Sequence, residues 1–435
     1  MTPAQVFALR PAAASGYRLA WARERLADSF WPIPVVLLIA GALVAAATVY
    51  APSLGIKSAL PAGPHVDSGE AATVLGIIAS ATLTFLAVVF TLTLVALQLA
   101  SSQASPRVIR TFIRSGVTKL AFGVLLATFA YSVAFLVLSG GHGHEPESRG
   151  LVIAVILVTI SLLVFVGYVA STLRLLQVAW VITDVANRTR ASIRVHYPPG
   201  QAYQLSRAPT LDGPAQQIAL RARSQGILQA VDHDRLVRLA RRHDCLLQLL
   251  VRIGEYVPAG ADVILAHDIV SARGGPASRE LQAGIYFGRS RLLYQDPAYG
   301  LRQLVDIAIQ ALSPAINQPT TAIQVIDRLE DIMRRIGANP RLSGYYADAA
   351  GRVRLVEPAL TWDDSLDLAF TEITVYGASS PQVVRRLLAA YDVIEAGVRP
   401  SMRAGLQARR EALLLQSADL AVPAGTLRPD PLGLG

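Results

Sequence analysis

Residues 71–99, AATVLGIIASATLTFLAVVFTLTLVALQL, contain no charged side chain. At about 1.5 Å per residue, a helix of that length outspans the roughly 30 Å hydrocarbon core of a bilayer. Hydrocarbon offers the backbone no hydrogen-bond partner, so a helix is the natural way for such a run to satisfy its own amides. Residues 30–50, 120–138 and 151–173 have the same character, and the chain is expected to cross a membrane four times. The composition agrees: 52% of the 435 residues are hydrophobic and only 16% charged, with a mean hydropathy of +0.41.

The flanking charges set an expected orientation. Arg10, Arg18, Arg23 and Arg25 precede the first span; Arg107, Arg110, Arg114 and Lys119 join the second to the third; Arg174, Arg188, Arg190 and Arg194 follow the fourth. The alternate loops hold only Lys57 and Arg149, beside Asp67, Glu70, Glu145 and Glu147. The positive-inside rule therefore predicts a multi-pass membrane protein with both termini cytoplasmic. Trp31 and Trp180 lie near span ends, as interfacial anchors do. The first apolar run is longer than the core of a secretory signal and is read as a span.

On the second span Thr73, Ser80, Thr84, Thr91 and Gln98 share one narrow arc at 100° per residue, with Ser102 in line if the helix continues. Two readings stand side by side. Small and hydroxyl residues let membrane helices pack closely. Alternatively the row lines a pore, which four spans would build only as a homo-oligomer around a symmetry axis. Spans without internal charge disfavour a proton relay or pump. His142 and His144, beside Glu145 and Glu147, could form a weak divalent-metal or pH-sensing site, but two His at i, i+2 in a Gly-rich loop are a common pattern and a solvated turn is the better account.

The rest of the chain reads as a cytoplasmic α+β part. The fourth span is expected to run on as a coupling helix through TLRLLQVAWVITDVANRTRASIR, and residues 181–215 form that helix and a linker, broken at PPGQAY from Pro198. Residues 216–290 alternate in short runs punctuated by Gly226, Gly254, Pro258 and Gly260, which predicts a small β domain with one short helix, DRLVRLARRHD. Its GEYVPAG turn, Gly254 to Gly260, looks like that of barrel-sandwich carriers, but the domain has no Lys to modify. Residues 296–421 read as a helical domain. DPAYGLRQLVDIAIQAL makes one helix, SPAINQPTTA a corner, and TTAIQVIDRLEDIMRRIG a second helix capped by Thr320 or Thr321. Further helices are expected over residues 362–375, 381–396 and 399–420, with a disordered tail over 422–435 and a cytoplasmic segment over 1–29.

Enzymatic chemistry finds no support. Asp306, Asp327, Glu330, Asp331, His243-Asp244 and His267-Asp268 supply acid–base groups without catalytic spacing, and no phosphate-loop, dinucleotide, zinc-protease or hydrolase motif is present. The expectation is a non-enzyme that uses no cofactor. The single Cys245 excludes an intramolecular disulfide and a multi-cysteine metal site. The formal charge of +9 lies beside spans and along helices, without the aromatic platform that nucleic-acid binding needs. The bilayer and further copies of the chain are the expected partners; an ion or small ligand is left unspecified.

Three stretches together resemble a bacterial family of predicted membrane proteins of unknown function: QLASSQASPRVIR, the Gly254 turn, and DPAYGLRQLVDIAIQALSPAINQPTTA. The matching positions include Ser102, Gln103, Ser105, Pro106, Arg107, Ser313, Pro314, Asn317 and Pro319. Gln318 stands where the family pattern has Asp, and Ala104 where it has an aromatic residue. The resemblance implies an inner-membrane location with four spans and a cytoplasmic half. It implies no activity, and Gln318 argues that the SPAIN corner is structural.

Overall fold

The computed structural model describes residues 5–8, 29–50, 68–103, 116–140, 148–175, 177–196, 202–204, 217–267, 276–338 and 344–418. Ser105, Pro106, Arg107, the His142 to Glu147 loop and the tail over 422–435 lie outside them. The side chains of Ser102 and Gln103 do too. The chain divides into two compact units, residues 24–181, and residues 182–435 together with 1–23.

The first unit holds four helices, α1 (Pro32–Tyr50), α2 (Ser68–Gln103), α3 (Gly116–Gly140) and α4 (Ser148–Leu175), each long and apolar enough to cross a membrane. Helix α3 packs against the other three. Small residues permit the approach: a Cβ on Gly41 of α1 would lie 2.2 Å from the Ala127 carbonyl oxygen of α3. One core cluster gathers Ala45, Leu75, Ile78, Tyr131, Phe135 and Ala154, another Val89, Ala121, Phe122, Leu125 and Tyr168. Buried hydroxyls bond across helices, Thr128 to Ser161 at 2.8 Å and Thr93 to Tyr168 at 2.7 Å. The outer surface carries exposed Val36, Ile77, Phe90, Leu163 and Val166, an apolar coat that suits lipid. Lys119, three residues into α3, is almost fully buried, a charge that the sequence placed just outside the span.

The expected continuous coupling helix is not found. Helix α4 ends at Leu175, and α5 (Val178–His196) starts anew, with the Gln177 N–H bonded to the Arg174 carbonyl at 3.0 Å and the Trp180 N–H to that of Gln177 at 3.0 Å. These three-residue closures tighten the end of one helix and open the next, which apolar periodicity does not reveal.

The second unit is built on two sheets. Strands β1 (Gln5–Ala8), β2 (Ala202–Gln204), β3 (Gln217–Arg221), β4 (Gly226–Val231), β5 (Leu246–Leu249), β6 (Tyr256–Val257), β7 (Asp262–His267), β8 (Ile285–Gly288), β9 (Tyr345–Ala347) and β10 (Val353–Val356) form a seven-stranded sheet ordered β2-β1-β9-β10-β5-β7-β3 and a three-stranded sheet β6-β4-β8. Pairs β1–β9 and β10–β5 are parallel, the remaining pairs antiparallel. Neither sheet closes, so the described residues form no closed barrel. The chain ahead of α1 and the chain behind α4 meet in the larger sheet, because β1 is bonded to β2 and β9.

Helices α6 (His233–His243) and α7 (Ser278–Gln282) accompany the strands; α8 (Pro297–Ala311), α9 (Pro319–Ala338), α10 (Trp362–Leu366), α11 (Glu372–Gly377), α12 (Pro381–Gly397) and α13 (Pro400–Gln416) complete the unit. A π-helical turn, Asp367–Thr371, links α10 to α11. The β core is formed by residues such as Leu228, Val231, Leu247, Ile264, Leu281 and Leu355. Buried Arg386 ties α12 to α9 through Asp327 at 2.7 Å and Glu330 at 2.6 Å. Arg354 joins Asp348 at 2.9 Å to Asp244 at 2.8 Å.

Candidate functional site

All five expected pore-lining residues of α2, Thr73, Ser80, Thr84, Thr91 and Gln98, are exposed on the four-helix unit. The face that packs inward is the other one, with Leu75, Ile78, Thr82, Val89 and Ala96. Among the described residues, packing within the four-helix unit therefore does not account for the stripe. Each hydroxyl bonds back to its own helix: Thr73 to the Gly69 carbonyl and Ser80 to that of Gly76 at 2.8 Å, Thr84 to Ser80 at 3.0 Å, and Thr91 to Ala87 at 2.9 Å. A hydroxyl bonded in this way tolerates an apolar neighbour, yet its oxygen keeps a free lone pair toward the outside. Gly69 and Gly76 flank the row, and a Cβ at either would meet nothing within 4 Å. Among the described residues the face is small, mildly polar and not covered by the other three helices of its unit.

A second candidate was not legible in the sequence: a cavity of about 440 Å³ in the unit containing the sheets. Its walls come from α5 (Ile193), the turn at Arg252 to Glu255, the start of α8 with its preceding loop, the end of α9 (Ile336), the segment at Tyr346 and Glu357 to Leu360, and the π-helical turn (Leu368). These pieces are spread from Ile193 to Leu368, which is why no local motif announces it.

Two stretches that carry the family resemblance meet here. Asp296 caps α8 by accepting from the Tyr299 N–H at 3.0 Å, and it takes both Arg291 Nε at 2.8 Å and Nη2 at 3.0 Å. The ion pair lies against Gly254, whose φ is +90° and where a Cβ would stand 2.2 Å from Asp296 Oδ2 and 2.7 Å from Arg291 Nε. The Gly254 turn is thus the seat of a buried ion pair. Burial pushes the Asp296 carboxyl above its ordinary range, opposed by the Arg291 charge and the bonds from Arg291 and Tyr299. On the far wall Glu357 receives His233 Nε2 at 2.9 Å and the Tyr346 hydroxyl, and the His233 ring stacks on Tyr346 with centroids 4.2 Å apart.

The motif helix α8 also holds the helix that leads in from the membrane unit's end of the chain. A Cβ on Gly300 would stand 2.0 Å from Thr189 Oγ1 of α5, and Ser192 of α5 donates to the Tyr294 carbonyl at 2.9 Å. Arg302 is clamped between Asp306 at 3.0 Å and Glu372 of α11. Ser313, Pro314, Asn317 and Pro319 form an exposed or half-exposed corner rather than a chemical centre: Asn317 has φ +46°, its N–H bonds to the Ser313 carbonyl at 2.9 Å, and the Gln318 N–H to that of Ala311 at 2.7 Å. The cap of α9 is not Thr320 or Thr321 but position 318, because Pro319 is the first helical residue; Thr321 Oγ1 sits 3.4 Å from Gln318 Oε1. Among the described residues no cluster of three His, Cys, Asp or Glu could hold a metal.

The model of the family described as Predicted membrane protein (DUF2254) matches residues 27–392. The chain belongs to this family. The chain is also 30% identical over 394 residues to the uncharacterized proteins Mb1321c of Mycobacterium bovis and Rv1290c of Mycobacterium tuberculosis, over 84% of this chain and 76% of each relative. No solved structure matches the chain. Membership makes this a DUF2254 membrane protein with four candidate spans; the family description carries no activity.

Proposed function

We propose that this DUF2254 protein is an oligomeric ion channel or pore of the bacterial inner membrane, lined by α2 and assembled or gated by the unit that carries the sheets. The observation that supports it is the exposure of Thr73, Ser80, Thr84, Thr91 and Gln98 on a face that, among the described residues, the other helices of the unit leave open. Repeated around an axis, that face would present a hydroxyl row to a hydrated ion without fixing charge selectivity. Arg-rich flanks on one side favour cytoplasmic termini, and β1 pairing with β9 is consistent with both ends lying on one side. Among the described residues, Asp244, Asp306, Asp327, Glu330 and Asp331 are each paired with an arginine, which fits a structural use of these carboxylates.

A second reading is favoured by the cavity: a membrane-anchored sensor or scaffold whose cytoplasmic half binds a ligand or protein. Purified protein reconstituted in liposomes separates the two. A channel passes ions as an oligomer by native mass measurement, and Thr91→Trp changes the flux. A monomer that passes no ions would sink the channel reading, and a tolerated Thr91→Leu together with a specific bound partner would favour the sensor.

A further inference from the structure

We infer that the cavity binds a small zwitterionic molecule with an aliphatic body, of the amino-acid or short aliphatic peptide class. The site holds under either reading of the membrane unit, and it would give the sensor reading its ligand class. A volume of about 440 Å³ falls in the range of small-molecule sites. Its deep polar groups are already spent on one another. Arg291 and Asp296 form a bidentate pair, and Glu357 takes His233 and Tyr346. A ligand group placed among them would have to break bonds that the protein has made, so the interior selects an apolar body.

The walls specify which kind. Ile193, Ile253, Leu301, Ile336, Leu360 and Leu368 are aliphatic, and the one aromatic ring on the lining, Tyr346, stacks on His233. A nucleobase would find only this one ring, one face of which His233 already covers. Carboxylates at Glu255, Asp296 and Glu357 make the lining a poor host for a phosphate. Branched or straight aliphatic bodies fit best.

The head group is set by Arg252 and Glu255, exposed residues of the lining on either side of the Ile253-Gly254 pair. The Arg252 side chain is about half exposed at 49%, and its ion pair with Asp364 is long at 3.8 Å. Glu255 uses one oxygen to accept from the Arg252 backbone N–H at 2.9 Å. One guanidinium and one carboxylate, three residues apart on a single turn, offer a carboxylate and an ammonium their complements at once. A lone anion would face Glu255, and a lone cation would face Arg252.

Calorimetry on the full chain in detergent tests this with four probes, three of them sharing one body: L-leucine, 4-methylpentanoate and 3-methylbutylamine, with L-leucyl-L-leucine as a longer zwitterion. One or both zwitterions should bind at least about tenfold more tightly than the acid and the amine, as the loss of one charge-assisted contact implies. Arg252→Gln and Glu255→Gln should each weaken zwitterion binding by about tenfold and narrow the preference over the single-charge probes. A merely structural role would lower the thermal midpoint without altering that preference. Equal binding of the acid, equal binding of the amine, or heat from none of the four would overturn the inference. Ion flux does not enter the measurement, so the fate of the channel reading is decided separately.

Discussion

The two units satisfy their polar groups by opposite means. In the four-helix unit the exposed hydroxyls of α2 turn back onto their own backbone, and cross-helix bonds such as Thr128 to Ser161 are neutral. In the unit with the sheets, burial of charge is routine and settled over long sequence distances: Arg386 with Asp327 and Glu330, Arg354 with Asp348 and Asp244, Arg291 with Asp296. A helix that must survive without water satisfies itself locally, whereas a fold bathed in water can afford tertiary ion pairs. Among the described residues, the first unit accordingly leaves a helix face open, and the second leaves a partly open cavity.

The sharpest way to break this contrast is to remove one partner of a buried pair. Arg291→Ala strands the Asp296 carboxylate at 3% exposure against Gly254 and the start of α8, and should cost about 3–5 kcal/mol. Thermal denaturation of the detergent-solubilised chain, followed by a probe in the sheet-containing unit, reads the loss. A change within error would mean that the pair is not the seat of the turn.

The helical unit should show its own sensitivity at a glycine. Gly41→Ala puts a methyl 2.2 Å from the Ala127 carbonyl oxygen, a backbone atom that cannot swing away, and overpacking of this kind costs about 1–3 kcal/mol. Gly76→Ala on the open face of α2 meets nothing and should leave the monomer unchanged. Comparing the two in detergent denaturation, and then their subunit counts, tells whether the open face has a partner that the single chain lacks. Equal damage from both would contradict the assignment of faces.

Acid should weaken the sheet-containing unit. Burial pushes Asp348 upward, but its bond from Arg354 and the Arg352 and Ala350 N–H groups outweigh that, so its folded pKa is lowered. A lowered carboxylate stabilises above the unfolded value of roughly 3.9 and loses that contribution as pH falls through the lower folded value. Asp296, shifted the other way, acts with opposite sign: its contribution declines as pH rises from the unfolded value through the raised folded one. Asp348→Asn should flatten the acid limb of a midpoint-versus-pH curve, and an unchanged limb would remove Asp348 from the account.

How much of this was legible follows from the range of each interaction. Long apolar runs, the Asp296-Pro297 helix start and the strands around Gly226 and Gly260 are local signals, and they stand where the residue pattern predicts them. Strands β1, β2, β9 and β10 are three or four residues long and exist only because the larger sheet offers them partners, so no window of sequence marks them. The arc of Thr73 to Gln98 was legible, but not which way it faces, since that depends on how α3 seats α2. The cavity depends on six separate segments and could be found only in three dimensions.

The smallest expected effect concerns Gln318, which stands where the motif pattern that this chain resembles has Asp. Position 318 caps α9, where Pro319 begins the helix and an Asp side chain could accept from the Thr321 N–H. That N–H is bonded instead to the Gln318 carbonyl at 3.1 Å, and the longer Gln318 side chain reaches only the Thr321 hydroxyl, at 3.4 Å. An Asp there would add a negative charge at the helix start as well as a better-matched acceptor. Gln318→Asp should therefore raise stability by about 0.5–1 kcal/mol, seen as a small rise in thermal midpoint that disappears when the carboxyl is protonated at low pH. The Asp of the motif pattern would then be explained as a cap. A gain that persists in acid, or a loss, would mean that the corner asks something else of this position, and with it that the contrast between local and tertiary satisfaction does not extend to the exposed α8–α9 corner.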